Sequence, residues 1–300
     1  MSEEMMIGRS NNIFRRVTII GVGLMGGSLG LALKKNNLAA EVTGLSHRQA
    51  SLDTALANKA IDIGLTDVKR AVQSADLIVL ATPVDDIIKL LKTIQPHVRR
   101  GTLITDLGST KLEIVEAAEK ILPFPMNFVG SHPLVGSEKK GIDHAKDNLF
   151  EGSMCIMTPT KKTSQLAREK VKQLWTRVGA EVKIFEPQAH DDSLAYISHL
   201  PHIMAFGLME LIPNQYLELA TQGLKDTTRI ASSSPKMWND ICISNVKNVV
   251  KSLDEFIERL SQLRIAMINR DEKELIKHFT TAKEKRDSIN NLPPQEVREK

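Results

Sequence analysis

Short apolar runs alternate with helical patterns over the first 185 residues of the chain. The runs that we interpret as strands are at 17–20, 41–44, 77–81, 103–105, 128–129, 154–157 and 182–185. Between them, apolar residues recur at helical spacing, most clearly at 24–35, 49–58, 110–122 and 164–177, and a further helix opens at Pro83. This alternation predicts an α/β domain built on a doubly wound, largely parallel sheet.

The pattern changes after Pro187, where strand signals end and helical periodicity continues to the end of the chain. Two apolar series mark this half: Leu194, Ile197, Met204, Leu208 and Leu211, then Val249, Leu253, Ile257, Leu260 and Ile265. We therefore divide the chain into a flexible polar leader (1–16), an α/β domain (17–186) and an all-α domain (187–300). Broad apolar faces on such a domain are typical of a dimer interface, although they could equally pack on one another.

Two of the predicted helices carry capping signals at their start. Thr82 precedes the helix that Pro83 opens, and we expect its hydroxyl to cap that helix, with Asp85 and Asp86 in the first turn. Thr110 and Glu113 have the spacing of a capping box for the helix that ends near Leu122.

The composition argues against several classes of protein. A formal net charge of +4 is too small and too dispersed for a nucleic-acid-binding protein, and it is compatible with anionic small molecules. Cys155 and Cys242 form neither a disulfide framework nor a metal cluster, so we interpret both as buried thiols in a reducing compartment. Neither a signal peptide nor an apolar run of membrane-spanning length is recognisable. We expect a cytoplasmic protein that binds neither nucleic acid nor a membrane.

A glycine-rich turn follows the first predicted strand. Residues 21–26, Gly-Val-Gly-Leu-Met-Gly, fit G-x-G-x-x-G and open a helix, which is the context that dinucleotide binding requires. Gly21 permits the tight turn, Gly23 lets a pyrophosphate approach the backbone, and Gly26 lets the helix pack close to the strand. The helix N-terminus then offers N–H groups to the anion. These features predict a Rossmann-like cofactor site formed by Gly21, Gly23, Leu24, Met25 and Gly26.

The residues after the second strand indicate which dinucleotide binds. NAD enzymes usually place an acidic residue there to hold the ribose hydroxyls, but this chain has Ser46, His47 and Arg48, and the nearest acid, Asp53, lies in the next helix. A hydroxyl and a guanidinium suit a 2′-phosphate, so the sequence favours NADP, with NAD as the alternative. Arg48 could instead be a solvated residue at a helix start. The predicted cofactor site also includes Ser46, His47, Arg48, Thr82 and Pro83.

Two strand ends carry candidates for chemistry. His132 follows the apolar pair Phe128-Val129, and Pro133 restricts it to an extended or turn backbone in the loop that we predict there. A histidine accepts a proton near neutral pH, and strand ends of such sheets face the ligand cleft; the alternative is a surface histidine in a turn. Ser109 follows another strand and either contacts a ligand or caps the next helix.

The helical half contains a second group of polar residues. Ser-His-Leu-Pro-His at 198–202 places His199 and His202 on one helical face, and Pro201 interrupts that helix. Because this pair has no acidic or cysteine partner at ligand spacing, we expect no metal. Arg229 is a candidate for a bidentate carboxylate clamp, although an isolated arginine is more often solvated.

Taken together, these motifs resemble the prephenate/arogenate dehydrogenase family of tyrosine biosynthesis. They are the glycine turn, Gly-Ser-Thr-Lys at 108–111, Gly-Ser-His-Pro at 130–133, Ser-His-Leu-Pro-His at 198–202 and Lys-Asp-Thr-Thr-Arg at 225–229. The resemblance extends from about Val17 to Asp287. It implies an oxidative decarboxylation in which a hydride leaves the ring carbon that bears the hydroxyl, CO₂ departs and the ring becomes aromatic.

The resemblance also implies residue roles and a homodimer. His132 would bind the ring hydroxyl and accept its proton, Arg229 would bind the ring carboxylate, and Ser109 and His202 would line the same pocket. The helical domains of two subunits interlock in the family, and Trp238 matches a residue near the partner's site. The residues that we assign to the substrate on this basis are Ser109, Ser137, Glu138, His202, Gly223, Arg229 and Trp238, with His132 and Ser109 as the catalytic pair.

The substrate is small, either prephenate or arogenate. The histidine at 202 favours prephenate, because some NADP-using arogenate enzymes lack a histidine at the matching position. An arogenate dehydrogenase is the first alternative. A 3-hydroxyacid dehydrogenase would share the Gly-Leu-Met-Gly turn but needs a catalytic lysine that does not stand out here. A non-enzymatic NADP-binding protein would bind the cofactor without turnover.

Overall fold

The computed structural model describes residues 12–135 and 141–290 of the chain. These residues divide into two compact units, and each is described by itself below. The first unit extends to Asp191 and includes Ser232–Ser244; the second consists of Asp192–Ala231 and of the chain from Asn245 on.

An eight-stranded sheet forms the centre of the first unit, with the strand order β3-β2-β1-β4-β5-β6-β7-β8. The strands are β1 (Phe14–Ile20), β2 (Ala39–Leu45), β3 (Ile63–Leu65), β4 (Leu77–Leu80), β5 (Leu103–Asp106), β6 (Phe128–Leu134), β7 (Met154–Thr158) and β8 (Glu181–Ile184). All neighbours are parallel except β6 and β7. The predicted doubly wound, largely parallel sheet is therefore confirmed.

Its first strand begins at Phe14, inside the stretch predicted as a leader, because the Asp76 carboxylate accepts the backbone N–H groups of Arg15 and Arg16 at 3.1 and 2.8 Å.

Helices connect most of the strands and predominate after the last strand. They are α1 (Leu24–Lys35), α2 (Gln49–Ala57), α3 (Val68–Val72), α4 (Val84–Ile94), α5 (Leu112–Ile121), α6 (Gln165–Arg177), α7 (Pro187–Leu194), α8 (Leu200–Leu211), α9 (Gln222–Thr228), α10 (Pro235–Ser244), α11 (Val246–Ile268) and α12 (Glu272–Asn290). Every regular element described after Glu186 is helical, in agreement with the predicted all-α half. Among the helices of the described residues, none is long and apolar enough to cross a membrane.

The central strands of the sheet are buried on both faces. Successive residues of β1 belong to different apolar clusters: Ile19 packs with Leu29 and Trp175, whereas Ile20 packs with Ile87 and residues of α5. Because successive side chains of a strand point to opposite faces, helices must cover the sheet on both sides.

Both predicted helix caps are wrong. The N-cap residue of α4 is Pro83 and forms no side-chain hydrogen bond, so Thr82 does not cap this helix. Helix α5 begins after Lys111 without a capping box. Instead, the Asp191 carboxylate accepts the backbone N–H groups of Lys111 and Leu112 at 2.7 and 2.9 Å. Since this cap comes from about 80 residues away, the local sequence carries no signal of it.

A buried ion pair joins β5 to β6. Lys111 and Asp106 are both 0% exposed, and the Lys111 ammonium pairs with Asp106 Oδ2 and donates to the Ser131 carbonyl at 3.0 Å. Asp106 also accepts the N–H groups of Gly108 at 2.8 Å and of Ser131 at 3.2 Å. The pair thus fixes the loop after β5 and the residue that precedes His132.

The Ser131 side chain adds two further hydrogen bonds at the same place. Its hydroxyl lies 2.9 Å from the hydroxyl of Thr105 in β5 and accepts the Trp175 indole N–H at 3.0 Å. The backbone and side chain of Ser131 are therefore both bonded to neighbouring elements. As a result, the register of β6 cannot slip here without breaking several buried hydrogen bonds.

We expect Lys111→Met to lower the free energy of unfolding by about 3–5 kcal/mol, because it leaves the Asp106 carboxylate buried without its counter-ion. Urea unfolding followed by circular dichroism measures this change. The control is Lys89→Met, which removes an ion pair with Asp86 whose side chains are 74% and 55% exposed. It should change the free energy by less than about 1 kcal/mol. Equally small effects of both substitutions would contradict the stabilising role of the buried pair.

Candidate active site

The predicted site residues of the first unit lie at one edge of the sheet. Gly21, Ser46, Thr82 and Ser109 follow the carboxyl ends of four parallel strands, and His132 is near the carboxyl end of β6, which is parallel to β5. Strand β1 lies between β2 and β4, so the direction of winding reverses between β1 and β4. Doubly wound sheets bind ligands at this switch point.

The three glycines of the turn have different surroundings. Gly21 has a φ of +99°, and a Cβ there would lie 2.7 Å from the Ala81 carbonyl oxygen. A Cβ at Gly26 would collide with the carbonyl oxygen of Gly21. At Gly23, by contrast, a Cβ would meet no atom of the described residues within 4 Å. The backbone of Gly23 is therefore open to a ligand, as the approach of a pyrophosphate requires.

The N-terminus of α1 fits an anion. Gly23 is its N-cap residue, and Leu24 and Met25 begin its first turn, where the structure shows neither a side-chain cap nor an acidic residue. The backbone N–H groups of this turn and the helix dipole favour negative charge. The residues present thus fit the pyrophosphate of a dinucleotide.

The segment after β2 has the charge that a phosphate needs. Arg48 is the N-cap residue of α2, and its backbone N–H donates to Ser46 Oγ at 3.2 Å. The side chains of His47 and Arg48 are exposed, and the described first turn of α2 contains no acid. Asp53 instead accepts a hydrogen bond from Gln49 at 2.8 Å within the helix.

Thr82 offers a buried hydroxyl beside the glycine turn. Its Oγ1 is buried and has no hydrogen-bond partner among the described residues, and its Cγ2 would lie 2.9 Å from a Cβ at Gly21. Pro83, which follows, is exposed. A buried polar group without a partner costs about 1–3 kcal/mol, so a ligand that bonds the Thr82 hydroxyl would recover this energy.

His132 lies within a strand, and the prediction of a loop at this position is wrong. Strand β6 continues to Leu134, and His132 is paired with Ile156 of the antiparallel strand β7. Pro133 restricts its neighbour to an extended backbone, which suits this pairing. The side chain of His132 is half-buried at the edge that carries the glycine turn.

Two residues that the sequence analysis missed are hydrogen-bonded to His132 in series. The distance from His132 Nδ1 to His190 Nε2 is 2.9 Å, and that from His190 Nδ1 to Asp191 Oδ1 is 2.8 Å. His190 is 0% and Asp191 1% exposed. Burial lowers the pKa of His190, against the raising effect of the hydrogen bond and charge of Asp191. Their only signal in the sequence is a histidine next to an acid, which is common and carries no indication of a site.

Ser109 is half-exposed in the loop after β5. Because α5 is capped by Asp191 and forms no side-chain cap of its own, the alternative role of Ser109 as a helix cap is not realised. The neighbouring Thr110 is buried and lies 3.0 Å from the hydroxyl of Ser244.

In the second unit, the charge of Arg229 acts on His202. Nδ1 of His202 donates to the Ser198 carbonyl at 2.9 Å, so the lone pair of a neutral ring is on Nε2. Burial lowers the pKa of His202, the hydrogen bond that it donates to the Ser198 carbonyl opposes this effect, and the positive charge of Arg229 lowers the pKa further. Arg229 itself is exposed, directly after α9.

A π-helical turn, Ala195–His199, precedes α8, and His199 and His202 have different surroundings. His199 is buried, and its Nδ1 accepts a hydrogen bond from the Asn245 amide at 3.2 Å. Pro201 lies in the first turn of α8. The interruption expected from the sequence is therefore the π-helical turn that precedes α8. His199 therefore belongs to the packing of the unit, whereas His202 is half-exposed.

The remaining predicted residues are dispersed. Gly223 is exposed in α9 of the second unit, and Trp238 is buried in α10 of the first. Ser137 and Glu138 lie outside the described residues.

Comparison with known proteins gives matches over most of the chain. The family described as "Prephenate dehydrogenase, nucleotide-binding domain" matches residues 29–184, and "Prephenate dehydrogenase, dimerization domain" matches residues 186–281. The chain is 35% identical to the prephenate dehydrogenase of Bacillus subtilis, over 93% of this chain and 77% of that protein. It is 30% identical to the cyclohexadienyl dehydrogenase of Zymomonas mobilis, over 91% and 96% respectively.

Solved structures give the same result. The chain resembles prephenate dehydrogenase from Aquifex aeolicus in complex with hydroxyphenyl propionate and NAD⁺, with a TM-score of 0.86 and 34% identity, over 92% of this chain and 98% of that one. It also resembles Synechocystis arogenate dehydrogenase, with a TM-score of 0.79 and 27% identity, over 91% and 99%.

Proposed function

We propose that this chain, which belongs to the prephenate dehydrogenase family, catalyses the oxidative decarboxylation of prephenate to 4-hydroxyphenylpyruvate with NADP as hydride acceptor. The observation that carries the chemistry is the placement of His132 at the sheet edge that also carries the open glycine turn. The 35% identity with two curated prephenate dehydrogenases supports the substrate.

Each proposed role follows from a chemical need of the reaction. A bound nicotinamide dinucleotide accepts the hydride from the ring carbon that bears the hydroxyl. We assign His132 to take the hydroxyl proton as that carbon is oxidised to the carbonyl level. The bond to the ring carboxylate then breaks, CO₂ leaves, and its electron pair makes the ring aromatic. The phenolate oxygen recovers the proton from His132, so no proton is gained or lost overall.

The anionic substrate needs a cationic partner and neutral donors. We assign Arg229 to a substrate carboxylate, because its guanidinium can bind both oxygens. A lowered pKa keeps His202 neutral at pH 7, so that it acts as a hydrogen-bonding group rather than as a second cation. The other residues that we propose to contact the substrate are Ser109, Ser137, Glu138, Gly223 and Trp238.

We assign the 2′-phosphate of NADP to Ser46, His47 and Arg48. The exposed guanidinium of Arg48 and the absence of an acid from the described first turn of α2 support this choice. The Thr82 hydroxyl and Pro83 complete the cofactor site beside the glycine turn. NAD remains the alternative, and the Aquifex aeolicus relative was solved with NAD⁺.

We further propose that the enzyme is a cytoplasmic homodimer. The segment 186–281 matches a family described as a dimerization domain. Helices α11 and α12 expose large apolar side chains, as expected of an interface: Ile257, Leu260, Ile265, Met267, Ile268, Ile276, Phe279 and Ile289. The free thiols of Cys155 and Cys242 support a reducing compartment.

Turnover of four substrate pairs tests the function. We expect the purified protein to form reduced cofactor fastest with prephenate and NADP. The reasons are the proposed contact of Arg48 with the 2′-phosphate and that of the neutral His202 with prephenate. The absorbance of the reduced nicotinamide is followed with prephenate or arogenate, each with NADP or NAD. Faster turnover with arogenate or with NAD would contradict that part of the proposal. No turnover with any pair would overturn the function.

Arg48→Gln should raise the KM for NADP by about tenfold or more and leave the KM for NAD unchanged, since only NADP loses a charged hydrogen bond. Steady-state kinetics with each cofactor measure the difference. The control is Lys59→Gln, which removes an exposed charge beyond the other end of α2 and should change neither constant. An equal effect of the two variants on NADP would show that Arg48 acts only through net charge.

His132→Asn should lower kcat, whereas Arg229→Lys should mainly raise KM. The first removes the proton acceptor, so kcat should fall by about 10²–10⁴-fold with little change in the KM for prephenate. The second keeps the charge but loses the bidentate fork, so KM should rise with a smaller change in kcat. Near-normal turnover of His132→Asn would remove His132 from the mechanism, and an unchanged KM of Arg229→Lys would exclude the clamp.

A further inference from the structure

His132, His190 and Asp191 form a series of hydrogen bonds from the sheet edge into the interior of the first unit. The two histidine rings are in edge contact, with centroids 5.1 Å apart and planes inclined by 61°, which suits a hydrogen bond between ring nitrogens rather than stacking. Asp191, at the buried end, accepts backbone N–H groups on both of its oxygens. The series therefore has fixed donors at one end.

The positions of the protons follow from those donors. A backbone N–H can only donate, so both Asp191 oxygens act as acceptors, and the hydrogen bond from His190 must use a proton on Nδ1. A neutral imidazole carries one ring proton, which makes Nε2 of His190 an acceptor. Nδ1 of His132 must then donate to it, and the lone pair of His132 is on Nε2.

The neutral state of His190 is supported by its environment. Burial lowers the pKa of His190, and the ammonium of Lys111 acts in the same direction. The carboxylates of Asp191 and Asp106 act in the opposite direction, and burial is the largest of these effects. Among the described residues, the ring of His132 also contacts this ring.

We propose that His190 and Asp191 are positioning residues that hold His132 in the tautomer with the proton on Nδ1, so that Nε2 is the atom that accepts the substrate proton. This inference rests on the proposed role of His132 as the base. The opposite tautomer would carry a proton on Nε2, so this atom would have no lone pair for the substrate proton. Its lone pair would be on Nδ1, which faces His190. Without an acceptor at His190, the hydrogen bond that favours this tautomer would be lost.

Asp191 also connects this series to the other proposed catalytic residue. The carboxylate that orients His190 also caps α5. It accepts the backbone N–H groups of Lys111, two residues after Ser109, and of Leu112. One side chain thus fixes both the tautomer of His132 on β6 and the end of the loop that carries Ser109.

A pair of substitutions at His190 separates hydrogen bonding from packing. Gln can place its amide oxygen where Nε2 of His190 accepts from His132, whereas Leu fills similar space without an acceptor. We expect His190→Leu to lower kcat for prephenate by about 10²-fold or more, with KM changed less than about threefold. His190→Gln should be at least about tenfold more active than His190→Leu. Thermal unfolding of both variants measures the loss of stability separately.

Tautomer states provide a measurement that does not depend on turnover. In protein labelled with ¹⁵N-histidine, long-range ¹H–¹⁵N spectra at a pH above the titration of histidine distinguish a protonated from an unprotonated ring nitrogen. We expect the His132 signal, assigned by its loss in His132→Asn, to show a proton on Nδ1 in the wild type. In His190→Leu it should shift towards a mixture of tautomers.

The outcomes separate this proposal from the proposed function. A wild-type protein that turns over neither prephenate nor arogenate overturns the function, and the spectra still decide the tautomer. A His132 proton on Nε2 in the wild type overturns the present proposal even if the enzyme is active. Equal activities of His190→Gln and His190→Leu overturn it as well, because the acceptor would then make no difference.

Discussion

The carboxylate of Asp191 is the interaction on which the arrangement of the site depends. It caps α5, accepts the ring proton of the buried His190, and through that ring is connected to His132. A carboxylate with two backbone donors cannot rotate without losing one of them, so its orientation is set by the helix N-terminus. The orientation of His132, the proposed base, therefore depends on the N-terminus of α5.

The buried pair of Lys111 and Asp106 complements this arrangement in the same loop. It fixes Ser131, the residue before His132, by hydrogen bonds to both its N–H and its carbonyl group. Ion pairs in a protein interior contribute little net stability compared with apolar residues, but they define one geometry. Here that geometry keeps β5 and β6 in register at the point where the sheet edge carries chemistry.

The sequence was informative wherever the signal is local. The glycine pattern predicted the strand, turn and helix around Gly21 and Gly23, and the alternation of apolar runs predicted the sheet, apart from β3, whose three residues are too few to show a period. The cap predicted at Thr110 was wrong because propensity cannot reveal that the distant Asp191 carboxylate caps α5. The cap predicted at Thr82 was wrong because the N-cap residue of α4 is Pro83, which forms no side-chain hydrogen bond. His132 was placed in a loop because the antiparallel partner β7 lies beyond the range of any local pattern. His190 escaped notice for the same reason.

Gly23 is a position where the proposed cofactor, rather than the packing of the fold, requires glycine. Neighbouring glycines in the turn are demanded by the packing of the backbone, whereas the space beside Gly23 is open among the described residues. A methyl group there would meet no atom of the described residues within 4 Å, yet it would occupy the volume through which a pyrophosphate reaches the backbone. Descendants of this protein could thus lose the reaction in a single substitution and retain the architecture, so persistence of the fold alone says little about persistence of catalysis.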